Sequence, residues 1–336
     1  MSTAQPSHPR TRRTRAARAL LAPVLLTAVA VLAAGCTGTP PPRRGDATAS
    51  APAAPGPAAP GPAAAPEDCN ARQSLRPAGP LPKPNSMPAG SYMDEIRKRG
   101  LLRVGTSQDT LLFSSRNPIT GRIEGFDVDM ARAVAKAIFD DENKIQIIVT
   151  PNAQRIPAAK DGTVDLVVQT TTMNCTRWKE IDFSTVYYDA GQKVLVSTAS
   201  TAKGVGDLGG KRVCAAAGST SLENLERLDP RPITVAMPGN SDCLVAFQRN
   251  QVDAISTDDT ILAGLAAQDP YAKVIGAPFT KEPYGIAISK EHEDFTRFVN
   301  AVLERQRADG SWKRTYEKWL GRFGATPNPP AAEYRG

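Results

Sequence analysis

The sequence predicts an α/β fold divided into two lobes that face one cleft, and three observations carry that expectation. Apolar runs of strand length alternate with helical segments from Leu101 onward. A segment in the middle of the chain recurs: Ala159-Lys160-Asp161-Gly162-Thr163-Val164-Asp165-Leu166-Val167-Val168 is echoed by Phe247-Gln248-Arg249-Asn250-Gln251-Val252-Asp253-Ala254-Ile255. Both copies read as a helix end, a tight turn, an Asp and a buried strand. Each strand then runs into a polar cluster, Gln169 to Asn174 in the first copy and Ser256 to Thr260 in the second. Ligands of open α/β sheets bind beyond the carboxyl ends of strands, so two such clusters place two lobes around one site. The foldable stretch, Tyr92 to Gly321, holds about 230 residues, which suits two modest domains.

In chain order, Ser91 to Arg99 reads as a short helix, Leu101 to Gly105 as a strand and Asn117 to Gly121 as a turn. The stretch Gly125-Phe126-Asp127-Val128-Asp129-Met130 opens a helix to Phe139. Gly125 suits a turn, Asp127 is a candidate N-cap, and Phe126, Met130, Val134 and Ala137 share one helical face. A strand follows at Ile145 to Val149. The second lobe begins near Gln192, with a strand at Arg212 to Ala215, a helix from Ser221, a strand at Ile233 to Val235 and a helix from Ser241 to Arg249. The chain returns near Pro283. Tyr284 to Ser289 completes the first sheet, and Phe295 to Leu320 supplies closing helices, with Phe295, Phe298, Val299, Val302 and Leu303 at helical spacing. The expected divisions are therefore 91–191 with 283–321 for the first lobe and 192–282 for the second. Residues 67–90 form an N-terminal extension and 322–336 a C-terminal tail. Two crossings between the lobes make a hinge, which suits closure around a ligand.

The two ends bound where the protein works. Residues 1–35 carry Arg10, Arg12, Arg13, Arg15 and Arg18, no acidic residue, and then an apolar run from Ala19 to Gly35. That is the pattern of a signal peptide rather than a membrane span. Leu32-Ala33-Ala34-Gly35-Cys36 resembles a lipobox, in which Cys36 is lipidated and becomes the mature N-terminus, although Leu32 sits one position further from the cysteine than is usual. Thr37 to Pro66 holds nine prolines and ten alanines with almost no large apolar side chain, so residues 36–66 read as a tether. In an extended state it would reach roughly 90 Å at about 3 Å per residue. The formal charge of +7 falls to +2 when the five leader arginines are removed. No basic patch interleaves with aromatics, so nucleic acid is not an expected partner. The expected location is the extracellular face of the cell membrane, with the lipid as the anchor and the protein a monomer.

Cys69, Cys175, Cys214 and Cys243 remain after Cys36, and an even number in an exported chain points to two disulfides with three possible pairings. Cys214 ends a strand and Cys243 opens a helix of the same lobe, which favours Cys214–Cys243 and leaves Cys69–Cys175 to staple the extension to the first lobe. A zinc site is disfavoured because there is no CxxC and the two histidines, His8 and His292, are poorly placed.

The string from Gly125 to Ile138 closely resembles the signature of the extracellular solute-binding proteins that deliver polar amino acids to ABC importers. The resemblance extends from Ser91 to Gly321. Ile181-Asp182-Phe183-Ser184 with Tyr187-Tyr188 is similar to the family's hinge approach, with Val186 where proline is usual. Asp309-Gly310-Ser311-Trp312 and Lys318-Trp319-Leu320-Gly321 are similar to its C-terminal helix. The resemblance implies a type II periplasmic-binding-protein fold, no cofactor and no catalysis. It also implies a site: Arg177 gripping the ligand's α-carboxylate through a bidentate fork, the Thr172 hydroxyl and N–H sharing it, and the Thr170 carbonyl taking the ammonium group. Asp258 matches the second-lobe carboxylate for that ammonium, although Asp259 could take its place and helix capping would serve either. Ser219 and Thr220 match a helix-start loop adding N–H donors, while Asp109 and Phe113 are candidate wall contacts.

Arg155 occupies the place where acidic amino-acid binders of this family carry an arginine for the side-chain carboxylate. Thr170-Thr171-Thr172 also resembles their pattern. Ala216 stands where glutamine binders tend to have lysine. An uncompensated Arg in a closed cleft is costly beside a neutral ligand. The expectation is thus a receptor for glutamate or aspartate, tolerating asparagine or glutamine, that presents its closed form to an ABC permease with its ATPase. A membrane sensor protein is the alternative partner. A dehydratase on the same fold is the enzyme alternative, but no cleft histidine or free cysteine is available to it.

Overall fold

A computed structural model of the chain describes residues 69–335. The expected signal peptide, Cys36 and the tether lie outside the described residues. Among the described residues no helix is long and apolar enough to cross a membrane.

Two five-stranded sheets organise the chain. In the first, the strand order is Ile145–Val149, Leu102–Thr106, Leu166–Val167, Ala287–Ile288, Asp182–Phe183. The first three run parallel, and Ala287–Ile288 is antiparallel to both of its neighbours. Helix Tyr92–Arg99 starts at Ser91, whose side chain accepts the Asp94 N–H, and stops at Gly100, a left-handed residue at φ 88°. Helix Phe126–Phe139 presents Phe126, Met130 and Val134, all fully buried, to a core shared with helices Glu293–Ala308 and Ser311–Leu320. Each such side chain contributes about 1.5–3 kcal/mol by leaving water.

Asp127 does not cap this helix. Gly125 holds the N-cap position, at φ 145°, where a Cβ would lie 2.2 Å from the Phe113 carbonyl oxygen. The helix start is driven into the core, and Asp127 accepts hydrogen bonds from the Tyr187 hydroxyl at 2.7 Å and the Thr170 N–H at 2.8 Å. Donors from other parts of the chain outcompete the helix's own amides because they are buried with it.

The second sheet has the order Ile233–Met237, Arg212–Ala216, Ala254–Asp258, Gln192–Ser197, Ala272–Ile275. Its first three strands are parallel and Gln192–Ser197 is antiparallel to both of its neighbours. Strand side chains alternate between faces. Leu195, Cys214 and Ile255 therefore pack with Leu244, Phe247 and Leu262 on one face, while Val194, Val196, Val213 and Ala215 pack with Leu225 on the other. The Cys214–Cys243 disulfide ties strand Arg212–Ala216 to helix Asn240–Gln248.

The chain crosses between the sheets on two strands, Tyr188–Ala190 and Glu282–Tyr284, which pair antiparallel. Tyr284 thus belongs to this crossing rather than to the first sheet, whose strand there is only Ala287–Ile288. The extension is bound through the Cys69–Cys175 disulfide and through Ser74–Leu75, which pairs in parallel with Tyr334–Arg335 of the tail.

Candidate functional site

The site is built from loops that leave the strand ends of both sheets and meet beside the crossing strands. In the first lobe, strand Ile145–Val149 leads to helix Arg155–Lys160, which carries Arg155 at its first position. Strand Leu166–Val167 leads to Gln169 through Asn174, and Asn174 caps the short helix Cys175–Trp178 by accepting the Arg177 N–H at 2.8 Å. Thr172 forms an isolated bridge with Tyr284, and the Met173 N–H donates to the Pro283 carbonyl at 2.8 Å, so the threonine loop is held against a crossing strand.

Arg155 and Arg177 are buried, at 4% and 8% exposure. Arg155 donates from Nε to the Asn152 carbonyl at 3.0 Å and from Nη1 to the Gln169 and Thr170 carbonyls at 3.0 and 3.4 Å. Arg177 donates from Nη1 to the Thr172 carbonyl at 2.7 Å. Both guanidiniums also reach across the cleft to the Gly218 carbonyl, Arg177 at 3.1 Å and Arg155 at 3.4 Å. Among the described residues their hydrogen-bond acceptors are all main-chain oxygens. Two cations are therefore held in a dry place without a direct ion pair among the described residues, an arrangement that calls for an anion. Burial, and then the neighbouring Arg177, lowers the Arg155 pKa to about 9. Burial likewise lowers that of Arg177.

Gly218 makes this approach possible. It sits at φ +72°, and a Cβ there would lie 2.7 Å from the Ala153 Cα, so the second lobe meets the first backbone to backbone. Ser219 caps helix Thr220–Glu226 by accepting the Leu222 N–H at 3.1 Å and donates its hydroxyl to the Ala216 carbonyl at 2.6 Å. Thr220 donates to Glu282 Oε2 at 2.7 Å and its hydroxyl lies 3.3 Å from that of Thr172.

Asp258 and Asp259 differ in local geometry. Asp259 faces the main chain and accepts from the Thr260 and Gly191 N–H groups. Asp258 points inward, buried, and accepts the Tyr284 hydroxyl at 2.5 Å on Oδ2, while its Oδ1 has no partner among the described residues. Burial, and next the charge of Glu282, pushes the Asp258 carboxyl up to about 8. A buried, half-satisfied carboxylate is a strong acceptor for a cation.

The remaining candidates are placed as follows. Thr170 has a left-handed backbone, φ 42°, fixed by the Asp127 bond to its N–H. Asp109 is exposed on the rim of a cavity of about 150 Å³ between the lobes, and its carboxylate accepts the Ser107 hydroxyl at 2.6 Å. Phe113 is fully buried and meets Phe126, Tyr188 and Tyr284 edge to face in the first core. Sequence reasoning missed Tyr284 and Glu282, which set the state of Asp258. Their signal is faint: two polar-tipped residues beside Pro283, where the sequence predicts the return to the first lobe.

The model of the bacterial extracellular solute-binding proteins, family 3, matches residues 102–322. The chain is 38% identical over 226 residues to the ABC transporter glutamine-binding protein GlnH of Bacillus subtilis (strain 168), covering 67% of this chain and 83% of that protein. It is 33% identical over 238 residues to the glutamate-binding protein GluB of Corynebacterium efficiens, covering 67% and 80% respectively. Among solved structures, holo ArgBP from T. maritima superposes with a TM-score of 0.60 at 30% identity, covering 68% of this chain and 99% of that one. The protein belongs to the bacterial extracellular solute-binding proteins of family 3, and is a solute receptor of the type II periplasmic-binding-protein fold rather than an enzyme.

Proposed function

We propose that this receptor captures an acidic amino acid, glutamate or aspartate, by closing its lobes, and delivers it to an ABC permease and ATPase. The observation that carries this reading is the pair of buried guanidiniums opposite a carboxylate with a free oxygen. In it, Arg177 and Thr172 take the α-carboxylate, with Ser219 and Thr220 at the helix start beside them. Asp258 takes the ammonium group and Arg155 the side-chain carboxylate. Each charge-assisted hydrogen bond is worth about 1.5–3 kcal/mol. The ligand contacts both lobes and therefore favours the closed state differentially, as a closure switch requires.

Glutamine is the second reading, supported by the name of the Bacillus subtilis relative. All four acceptors around Arg155 are carbonyl oxygens, so an amide oxygen could join them without a charge. Calorimetric titration of the purified protein with glutamate, aspartate, glutamine, asparagine and arginine separates the readings. Tightest binding of the acidic pair supports the proposal, and a preference for glutamine or arginine overturns its specificity.

Anchoring through Cys36 belongs to the same proposal: labelled palmitate should enter the wild-type chain and not Cys36→Ser. A sensor in place of a transport receptor would leave amino-acid uptake unchanged on deletion.

A further inference from the structure

We propose that the segments flanking the family-matched region form a clasp that positions Arg177 and thereby sets ligand affinity, an inference that rests on the site reading above. The match ends at residues 102 and 322, yet residues 69–75 and 330–335 are bound to each other and to the element that carries Arg177. That element is one helical turn, Cys175–Trp178, too short to hold its own position. Outside the cleft, the clasp grips it at both ends. Cys69 is disulfide-bonded to Cys175, two residues from Arg177. The Trp178 Nε1–H donates to the Ala71 carbonyl at 2.8 Å, and the Arg335 guanidinium lies 4.7 Å over the same indole ring.

The clasp is itself tied down. The Ser74 N–H donates to the Glu333 carbonyl at 3.0 Å, and the Asn300 amide donates to the Ser74 hydroxyl and the Leu75 carbonyl. Arg307, half-buried in the first lobe, donates to the Pro330 carbonyl at 2.8 Å. Arg72 bridges Glu333 of the tail at 2.9 Å and Asp189 of crossing strand Tyr188–Ala190 at 2.5 Å. The same strap thus touches the turn bearing Arg177 and one strand of the hinge. A displacement of about 1 Å at a positioned charge is enough to cost a large factor in affinity or rate, so a clasp acting on Arg177 from outside the cleft controls it without touching ligand. Arg177 contacts the ligand; the clasp residues are positioning residues.

The test compares two disulfides in the purified full chain by calorimetry with glutamate, alongside the melting temperature and the Arg177 Nε–H resonance, assigned by its loss in Arg177→Lys. Replacing Cys69 and Cys175 by Ser should raise Kd about tenfold and broaden that resonance. Replacing Cys214 and Cys243 by Ser should lower the melting temperature yet move Kd less than twofold. Trp178→Phe, which keeps an aromatic ring at this position and removes the N–H together with the five-membered ring, is the variant that folds most safely and should raise Kd two- to threefold. Unchanged Kd in both clasp variants, or equal losses for the two disulfides with the resonance unmoved, overturns the clasp. A wild-type protein that binds no amino acid in the panel overturns the site reading instead, and the clasp proposal falls with it.

Discussion

The two poles of the cleft are built on different terms. Arg155 and Arg177 are surrounded by main-chain carbonyls from both lobes, so each guanidinium has most of its geometry fixed by the fold. Asp258 has a single side-chain donor, Tyr284, and an oxygen with no partner among the described residues. The lesson is that one pole lacks only charge while the other lacks both charge and a hydrogen bond. The cationic pole should therefore act as a rigid socket, and the anionic pole as the part whose protonation changes on binding.

The largest effect should come from Arg177→Ala, which leaves a buried ligand carboxylate unpaired. Such truncations cost about 2–5 kcal/mol, or roughly a 30- to 5,000-fold rise in Kd by calorimetry. A change below threefold would break the assignment of the socket. Next, Asp258→Asn keeps the shape and removes the charge, and should raise Kd roughly ten- to a hundredfold for every amino acid tested. Arg155→Gln sharpens the comparison between the two arginines. It should weaken glutamate by about tenfold or more and glutamine by less than threefold. Equal losses would place Arg155 outside side-chain recognition.

The smallest effect is protonic. Asp258 titrates near 8 in the folded chain, well above an ordinary carboxyl, so folding favours its neutral form. That group lowers stability progressively as pH rises from about 4 towards 8. A ligand ammonium at Oδ1 opposes this, so the rise in melting temperature on adding glutamate should grow between pH 5 and 8. At pH 7 binding should also release close to one proton, seen as a heat that depends on the buffer. Asp127, pushed up to about 7 by burial, adds to the stability trend but faces Tyr187 and Thr170. The comparison with Asp258→Asn isolates the cleft carboxylate.

Much of the framework was legible because its signals are local. The helix from Phe126 to Phe139 announces itself by period, and the Asp-led strands Leu166–Val167 and Ala254–Asp258 by their repeated turns. What failed to show was set by distant contacts. Asp127 has the right chemistry for a cap, and only the fold supplies Tyr187 sixty residues on. Asp258 and Asp259 are equivalent as letters, and Tyr284 in the crossing strand separates them. The pairing of Tyr334–Arg335 with Ser74–Leu75 has no period to detect, since each strand is two residues long. The arginines were found through a resemblance, because a lone Arg after a polar loop carries no signal of burial by itself.

The most direct test of the central claim is a crystal structure of the protein grown with glutamate. The account predicts the α-carboxylate on Arg177 and Thr172, the ammonium within hydrogen-bond distance of Asp258 Oδ1, and the side-chain carboxylate on Arg155. Glutamate bound with its ammonium away from Asp258, or with its side-chain carboxylate turned to solvent, would contradict it.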